Sequence, residues 1–512
     1  VQPTAGGSLP ETGVIAGSES TVTTAAVTQA PAPSAPQPQP VGSSLKSAAV
    51  FGVGTGLQRG VAFLLLPLYT RALTPAEYGT LSVLLAVTSV AGIVFAFGLD
   101  MGLFRSFFLH AEDRRRVFVG SVWRLLVVAP LVAAVVCAAI AAPFVHGIPR
   151  VTPLDVFLAL LAGALYVGAS AVPLVVLRVQ RRLRDFMVLS LVDAIATPTL
   201  TIILVVGLHE GILGWLIASA ASNAILLVAA LRIVPWERGV PFERDTVLAA
   251  MRFGATLIPH AFALWALFLI DRGVLAGLVS AHELGVYSLA ANLAVPVAIA
   301  ITSLNQAMMP AYASAGVHPE QRDHLAGLIV IQLTGVFAIC LAGALLGGPV
   351  LLLVAPYSYH AAAPLVAWIV LGYAFLGLYF VPMNGITLGA GRSGFVWVVS
   401  ALGAASNVAL LLIFVPTDGI VAAAIASAAA YLVLFLCISV YARRPENPVR
   451  YRWLPLLGAA GLASVVYVAA TVTTPSEGGA AIGLRLVWIA AFVGVCVGAY
   501  RLRRRLRPGL DA

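Results

Sequence analysis

Charge is the scarcest property of this sequence. Asp, Glu, Lys and Arg make up 10% of its 512 residues and hydrophobic residues 60%, whereas a soluble domain carries about 25% charge. That shortage excludes a string of soluble domains. Runs of about 20 apolar residues, each long enough to cross a bilayer, instead recur from Ser47 to Tyr500. Lysine is nearly missing, one against 29 arginines, which fits a GC-rich coding sequence and carries no chemistry. Cysteine is sparse too: Cys137, Cys340, Cys437 and Cys496 lie in apolar runs without metal-ligand or redox spacing and read as packing residues. No nucleotide-binding loop, metal-ligand cluster or nucleophile constellation is present, so no cofactor is expected. The formal charge of +9 does not point to nucleic acid, because the basic residues form short clusters between apolar runs.

Residues 1–45 are rich in Pro, Ala, Ser, Thr and Gln and are expected to form a disordered cytoplasmic tail. They lack the basic and short apolar regions of a secretion signal. Leu9-Pro10-Glu11-Thr12-Gly13 matches a sortase sorting pentapeptide, but at the wrong end of the chain, and reads as chance. From Lys46 the pattern predicts an all-α polytopic membrane protein of about 14 transmembrane helices. They lie near 46–66, 80–99, 117–142, 154–177, 186–207, 211–233, 252–271, 284–308, 324–345, 362–388, 394–415, 418–441, 453–473 and 480–500. With the N-terminus inside, 24 of the 30 basic residues fall on the cytoplasmic side, among them Arg114 to Arg116, Arg178 and five arginines from Arg501 to Arg507. The positive-inside rule then puts both termini in the cytoplasm.

Two short segments mark an internal duplication. Thr74-Pro75-Ala76-Glu77-Tyr78-Gly79 and, 206 residues later, Ser280-Ala281-His282-Glu283-Leu284-Gly285 both have the form of a capping box that opens an apolar helix. A second anchor agrees: Pro173 lies thirteen residues before Phe186 and Pro382 thirteen before Phe395, an offset of 209. Two anchors at nearly one offset, six spans apart, imply two six-helix lobes of like orientation, related by an axis along the membrane normal. The expected organisation is a tail over 1–45, an N-lobe over 46–233, a cytoplasmic linker over 234–251 and a C-lobe over 252–441. Spans 13 and 14 with a basic tail then occupy 442–512.

The stretch from Leu64 to Gly79, Leu-Leu-Leu-Pro-Leu-Tyr-Thr-Arg-Ala-Leu-Thr-Pro-Ala-Glu-Tyr-Gly, resembles the start of bacterial polysaccharide flippases of the Wzx type. Asp271-Arg272, Leu284-Gly285-Val286-Tyr287-Ser288-Leu289-Ala290 and Met309-Pro310 resemble the matching part of that family's second half. The resemblance covers about 46–500, with its sharp motifs confined to these patches, and implies the multidrug/oligosaccharidyl-lipid/polysaccharide superfamily. It implies alternating access around a central cavity and transport of a polyprenyl-diphosphate-linked oligosaccharide from the inner to the outer leaflet of a bacterial plasma membrane. Membrane lipids and the glycosyltransferases and polymerase of the same pathway are the expected partners; with no nucleotide-binding loop, energy is expected from an H+ or Na+ gradient or from the downhill use of product. Fourteen spans rather than twelve resemble the lipid II flippase branch and some exporters of the family.

Ionisable groups inside spans are the candidate site residues, since each is costly in hydrocarbon unless it faces protein or water. Arg59, about 20 Å into span 1, suits a diphosphate through its permanent charge and planar fork of donors; equally, it reads as a structural cap for carbonyls near Pro67. Asp193 and Arg124 lie at similar depth and read either as an ion pair or, for Asp193, as a site for a coupling ion. His260 follows Pro259 in span 7 and reads as a substrate contact or as a packed histidine. Asp271 and Arg272, at the expected outer end of span 7, read as a gate between the lobes or as an ordinary interfacial pair. Asn292, Asn305, Gln306, Gln332 and Asn384 are candidates for glycan contacts.

Three functions fit this inventory. The first is a flippase for lipid-linked oligosaccharide. The second is a lipid II-type flippase or an exporter of small molecules on the same fold; an exporter of cations would need an acidic cavity. The third, a membrane polysaccharide polymerase, would need charged catalytic residues in a sizeable outer loop, and the longest outer segment, around Leu346 to Ala361, has no Asp, Glu, Lys or Arg.

Overall fold

Local capping decides where the helix after Thr74 begins. In the computed structural model, residues 65–99, 103, 112–145, 151–180, 182–234, 241–255, 258–390, 395–443, 447, 449, 453–475 and 479–506 are described. Arg59 and nearly all of the first expected span lie outside them. Helix α1 (Leu66–Ala72) and α2 (Pro75–Phe95) each carry a proline in the first turn, where a missing N–H is no loss. There follow α3 (Glu112–Val145), α4 (Pro153–Ser170), a short α5 (Pro173–Val179), α6 (Leu183–Thr201) continuing as a π-helical segment Ile202–Gly207, and α7 (Gly211–Ile233). The remainder comprises α8 (Arg244–Ala255), α9 (Ile258–Leu275), α10 (Ala281–Val317), α11 (Arg322–Val354), α12 (Ala363–Asn384) with a π-helical segment Gly385–Gly389, α13 (Val396–Tyr441), α14 (Trp453–Thr473) and α15 (Gly479–Leu506). The described residues contain no strand.

Eleven of these helical stretches are long and apolar enough to cross a membrane. One of them, α13, has 46 residues, about 69 Å at 1.5 Å per residue, more than twice a hydrocarbon core of ~30 Å. It is interrupted after Pro416 by Gly419, at φ 61° and ψ −148°, which makes it two helices, 396–418 and 420–441. With that division, and with the 18-residue α9, the helices account for spans 2 to 14 of the sequence reading. The chain is a multi-pass all-α membrane protein.

Several boundaries differ from the sequence reading. Span 8 was expected to stop at 308, yet α10 runs on to Val317 through Pro310, because its ladder continues on the face opposite the proline. Span 7 was expected at 252–271; in the structure α9 ends at Leu275, and the amphipathic α8 before it bears Arg244, Asp245 and Arg252, with residues 256–257 outside the described set. Asp271 and Arg272 therefore stand a turn inside the helix end. The segment around Leu346 to Ala361, expected to be the longest outer one, is mostly the end of α11 and a 3-10 turn at Tyr357–Ala362, not a loop.

The apolar core divides along the helices. Near the starts of α2 and α10, residues of both expected halves share one core, with Leu73, Tyr78 and Leu81 beside Leu284, Tyr287 and Leu289. Toward the other ends two further clusters form, Phe118, Trp123, Leu177 and Phe186 in one and Tyr312, Leu325, Ile329 and Val381 in the other, while Gly98, past the end of α2, lies backbone to backbone against Gly254 of α8. Helices α14 and α15 attach to α11 through Leu345, Val466 and Phe492. Arg485, buried in that attachment, donates to Leu345 O (2.7 Å), Thr474 Oγ1 (3.0 Å) and Pro475 O (3.3 Å).

Candidate functional site

Both capping boxes are formed as their sequences require. Glu77 Oε2 accepts from Thr74 N at 2.9 Å and Thr74 Oγ1 accepts from Glu77 N at 3.3 Å; Glu283 and Ser280 repeat the pattern at 2.9 and 3.2 Å. A third box, Thr152 with Asp155, opens α4 and was overlooked because its third residue is Asp rather than Glu. Identical starts give α2 and α10 the same register, and the structure places the two helices against each other. A Cβ on Gly79 would stand 2.7 Å from Gly285 N, and one on Gly285 3.0 Å from Gly79 N. Only glycine permits that approach, as in close helix contacts within membranes generally.

Around this contact the expected halves are tied by hydrogen bonds between equivalent or nearby positions. Ser288 Oγ donates to Ser82 Oγ at 2.9 Å, again at an offset of 206. Asn292 Nδ2 donates to the Tyr78 hydroxyl at 2.8 Å, and Tyr359 OH to Leu73 O at 2.9 Å. The Tyr78 and Tyr359 rings meet edge to face at 6.1 Å.

Asp271 and Arg272 belong to this assembly and are not a solvated interfacial pair: they are 6% and 4% exposed. Arg272 Nη1 donates to Asp271 Oδ1 at 3.1 Å and to Phe268 O at 2.9 Å, while Nη2 reaches Asn292 Oδ1 at 3.4 Å. The Tyr287 hydroxyl donates to Asp271 Oδ2 and lies 3.1 Å from Ser427 Oγ. The buried charges compensate each other, which burial requires, and the chain Asp271, Arg272, Asn292, Tyr78 leads from α9 through α10 to α2.

Directly beneath the contact is a cavity of about 400 Å³ lined by α1, α2, α6, α7 and α10. Tyr78, Ser82 and Asn292, which make the bonds just described, form its roof, and Tyr69, Asp193, Thr197, Thr201 and Trp215 line the rest. Thr197 Oγ1 lies 3.4 Å from Asp193 Oδ1 and 3.1 Å from Ser222 Oγ. Tyr69 and Trp215 meet edge to face, with ring centres 4.5 Å apart. Asn292, Val295, Pro296 and Ile299 of α10 reach the cavity. Ser303, Gln306 and Pro310, exposed and on the same helix face at three- and four-residue steps, extend that surface toward the far end.

Of the sequence candidates, the structure brings Asp193 and Asn292 to one cavity and joins Asn292 to Asp271 and Arg272. Arg124 lies on α3, which packs chiefly on α4, whereas Asp193 is on α6 beside α7; Arg124 Nε reaches Gly120 O at 3.4 Å. His260 falls on the first turns of α9, and its side chain is outside the described set, as is Arg59. Asn305, Gln332 and Asn384 face each other rather than a cavity: Asn384 Nδ2 and Gln332 Nε2 both donate to Asn305 Oδ1, at 2.7 and 3.4 Å, and Tyr312 OH to Gln332 Oε1 at 2.8 Å. Tyr69, Tyr78, Trp215 and Ser288 were not singled out in the sequence. Ser288, lying 206 residues after Ser82, could have been found from the duplication. Among the described residues no three of His, Cys, Asp and Glu group as metal ligands.

Comparison with known proteins places this geometry. Residues 44–315 match the family model described as "Polysaccharide biosynthesis protein". No match is found to a curated protein sequence. Among solved structures, one described as the lipid II flippase MurJ in an inward closed conformation superposes with TM-score 0.70 at 11% identity, covering 88% of this chain and 98% of that one. An inward-facing multidrug resistance MATE family transporter of the MOP superfamily gives TM-score 0.58 at 13% identity, covering 80% and 95%. The MATE multidrug transporter DinF-BH in complex with R6G gives 0.54 at 16%, covering 81% and 99%.

Proposed function

This chain belongs to the polysaccharide biosynthesis protein family, and from that premise we propose that it is a flippase carrying polyprenyl-diphosphate-linked oligosaccharide from the inner to the outer leaflet. One observation carries the reading: a polar and aromatic cavity lined by helices of both expected halves lies directly under the glycine contact of α2 and α10. In this reading the capped ends of α2 and α10 face outward, both termini are cytoplasmic, and the arrangement is closed to the outside. The glycan headgroup enters from the cytoplasmic side while the prenyl tail stays in lipid. Rocking of the lobes then breaks the α2–α10 contact and exposes the headgroup. Arg59 and His260 retain their proposed roles at the diphosphate and the cavity wall, and Asp271 with Arg272 acts within the outer gate. Coupling to H+ or Na+ through Asp193 belongs to the same proposal.

The test is deletion of the gene followed by analysis of lipid-linked glycans. Accumulation of a complete, unflipped lipid-linked oligosaccharide, relieved by the wild-type gene, supports the reading; a deletion that leaves surface glycan and lipid intermediates unchanged removes it. A second reading, export of an organic cation, is favoured by one feature: Asp193 lines the cavity together with Tyr69 and Trp215, a combination that attracts cations. Drug sensitivity of the deletion strain with normal surface glycan would select it.

A further inference from the structure

We propose that the cavity between α11, α12, α14 and α15 holds an anionic glycerophospholipid of the surrounding bilayer, with its phosphodiester at Arg485 and one acyl chain along α14. The cavity measures about 900 Å³, within the range of ligand pockets, and shares no helix with the one beneath the α2–α10 contact. Phe337 of α11, Phe375 of α12 and Tyr467 of α14 give it apolar walls. Trp368 and Val468 line it and are exposed, so the space opens sideways from the middle of spanning helices, where the neighbouring medium is lipid.

Arg485 supplies the charge. It lines the cavity although only 8% of it is exposed, and its three hydrogen bonds go to neutral oxygens, those of Leu345, Thr474 and Pro475. Those bonds use three of the five N–H donors of a guanidinium and offset none of its charge, which is costly to bury in an apolar setting. A phosphodiester brings an anion to it and accepts the two remaining donors in charge-assisted bonds.

Length favours a bilayer phospholipid over the polyprenyl lipid of the proposed function. From Thr471, one turn before Thr474, to Ala460 the α14 wall runs eleven residues, about 16.5 Å at 1.5 Å per residue. One leaflet of a ~30 Å hydrocarbon core is ~15 Å deep, so an acyl chain anchored at Arg485 lies along this wall for its whole length, whereas a polyprenyl chain outruns it. The bound lipid fills the space between α14 and the pair α11 and α12. It therefore concerns how α14 and α15 are held to the rest of the molecule, and is independent of what the protein carries.

The experiment titrates the full chain, delipidated in dodecyl maltoside, with phosphatidylglycerol, phosphatidylcholine and undecaprenyl phosphate, and reads bound lipid by native mass spectrometry. The wild type should bind phosphatidylglycerol about tenfold more tightly than phosphatidylcholine, the scale of one charge-assisted contact. Arg485→Gln should bring phosphatidylglycerol down to the level of phosphatidylcholine and leave the latter unchanged. Ser464→Trp fills the groove from an exposed position and leaves the bonds of Arg485 in place; it should weaken both phospholipids, and it tests the groove even where Arg485→Gln fails to fold. Equal affinity of the wild type for the two phospholipids overturns the proposal, as does a preference for phosphatidylglycerol that survives both variants. Undecaprenyl phosphate that displaces phosphatidylglycerol one for one assigns the site to the polyprenyl lipid and overturns it as well.

Discussion

Alanine at Gly79 or Gly285 should hold the capped ends of α2 and α10 apart. The added Cβ atoms would lie 2.7 Å from Gly285 N and 3.0 Å from Gly79 N, and closer still to the carbonyl oxygens of Ala281 and Pro75, all of them backbone atoms that cannot turn aside. Relaxed carbon contacts need about 3.5 Å, so the helices must separate by about 1–2 Å. That displacement carries the Ser82–Ser288 and Tyr78–Asn292 bonds, now 2.9 and 2.8 Å, beyond useful hydrogen-bond length. Two lost bonds at ~0.5–1.5 kcal/mol each, with overpacking of ~1–3 kcal/mol, give a shift of about 2–6 kcal/mol. This is roughly 30- to 20,000-fold against the closed arrangement. Spin labels at the exposed positions Arg71 and His282 read the separation by pulsed electron resonance. The Gly79→Ala and Gly285→Ala variants should gain a long-distance population, and Gly92→Ala, whose Cβ meets nothing within 4 Å, should not. Wild-type distances in both of the first two variants would refute the argument that this contact closes the protein.

Arg272→Ala leaves Asp271 buried without its cation and should cost about 3–5 kcal/mol, seen as a large fall in detergent thermal stability; Asp271→Asn added to it should restore part of the loss. Thr74→Ala and Ser280→Ala each remove an N-cap and should cost about 1 kcal/mol, with equal effects in denaturation because the boxes are geometrically alike. At Gly419, with φ 61° and ψ −148°, a backbone region essentially confined to glycine, alanine should cost on the order of 1–3 kcal/mol and lower the unfolding temperature, while Gly458→Ala, with open space around it, should be neutral.

Much of this architecture was legible because it is local. A capping box is fixed by four consecutive residues and a span by the apolarity of about 20, so the starts of α2 and α10 and most helices could be read directly. The end of span 7 was set four residues short of Leu275 because Asp271 and Arg272 interrupt its apolar run. Misplacing that helix end also made Asp271 and Arg272 look interfacial. The five amide residues show the limit of residue type as a guide. Asn292 reaches the cavity and Gln306 is exposed on the same helix face, but Asn305, Gln332 and Asn384 satisfy one another, and all five look alike in sequence.

The sequence by itself determined that this chain crosses the membrane many times, where two of its helices begin, and that those beginnings repeat at a fixed offset. Hydropathy and end-capping act within a span or a single turn, so no partner is needed to define them. Only the tertiary structure decided that the two repeated helices meet, glycine against glycine, and that Arg272 and Asn292 link that contact to a cavity holding Asp193. Those facts depend on groups hundreds of residues apart, such as Tyr78 and Asn292, whose approach is set by the packing of backbones rather than by either residue's neighbours.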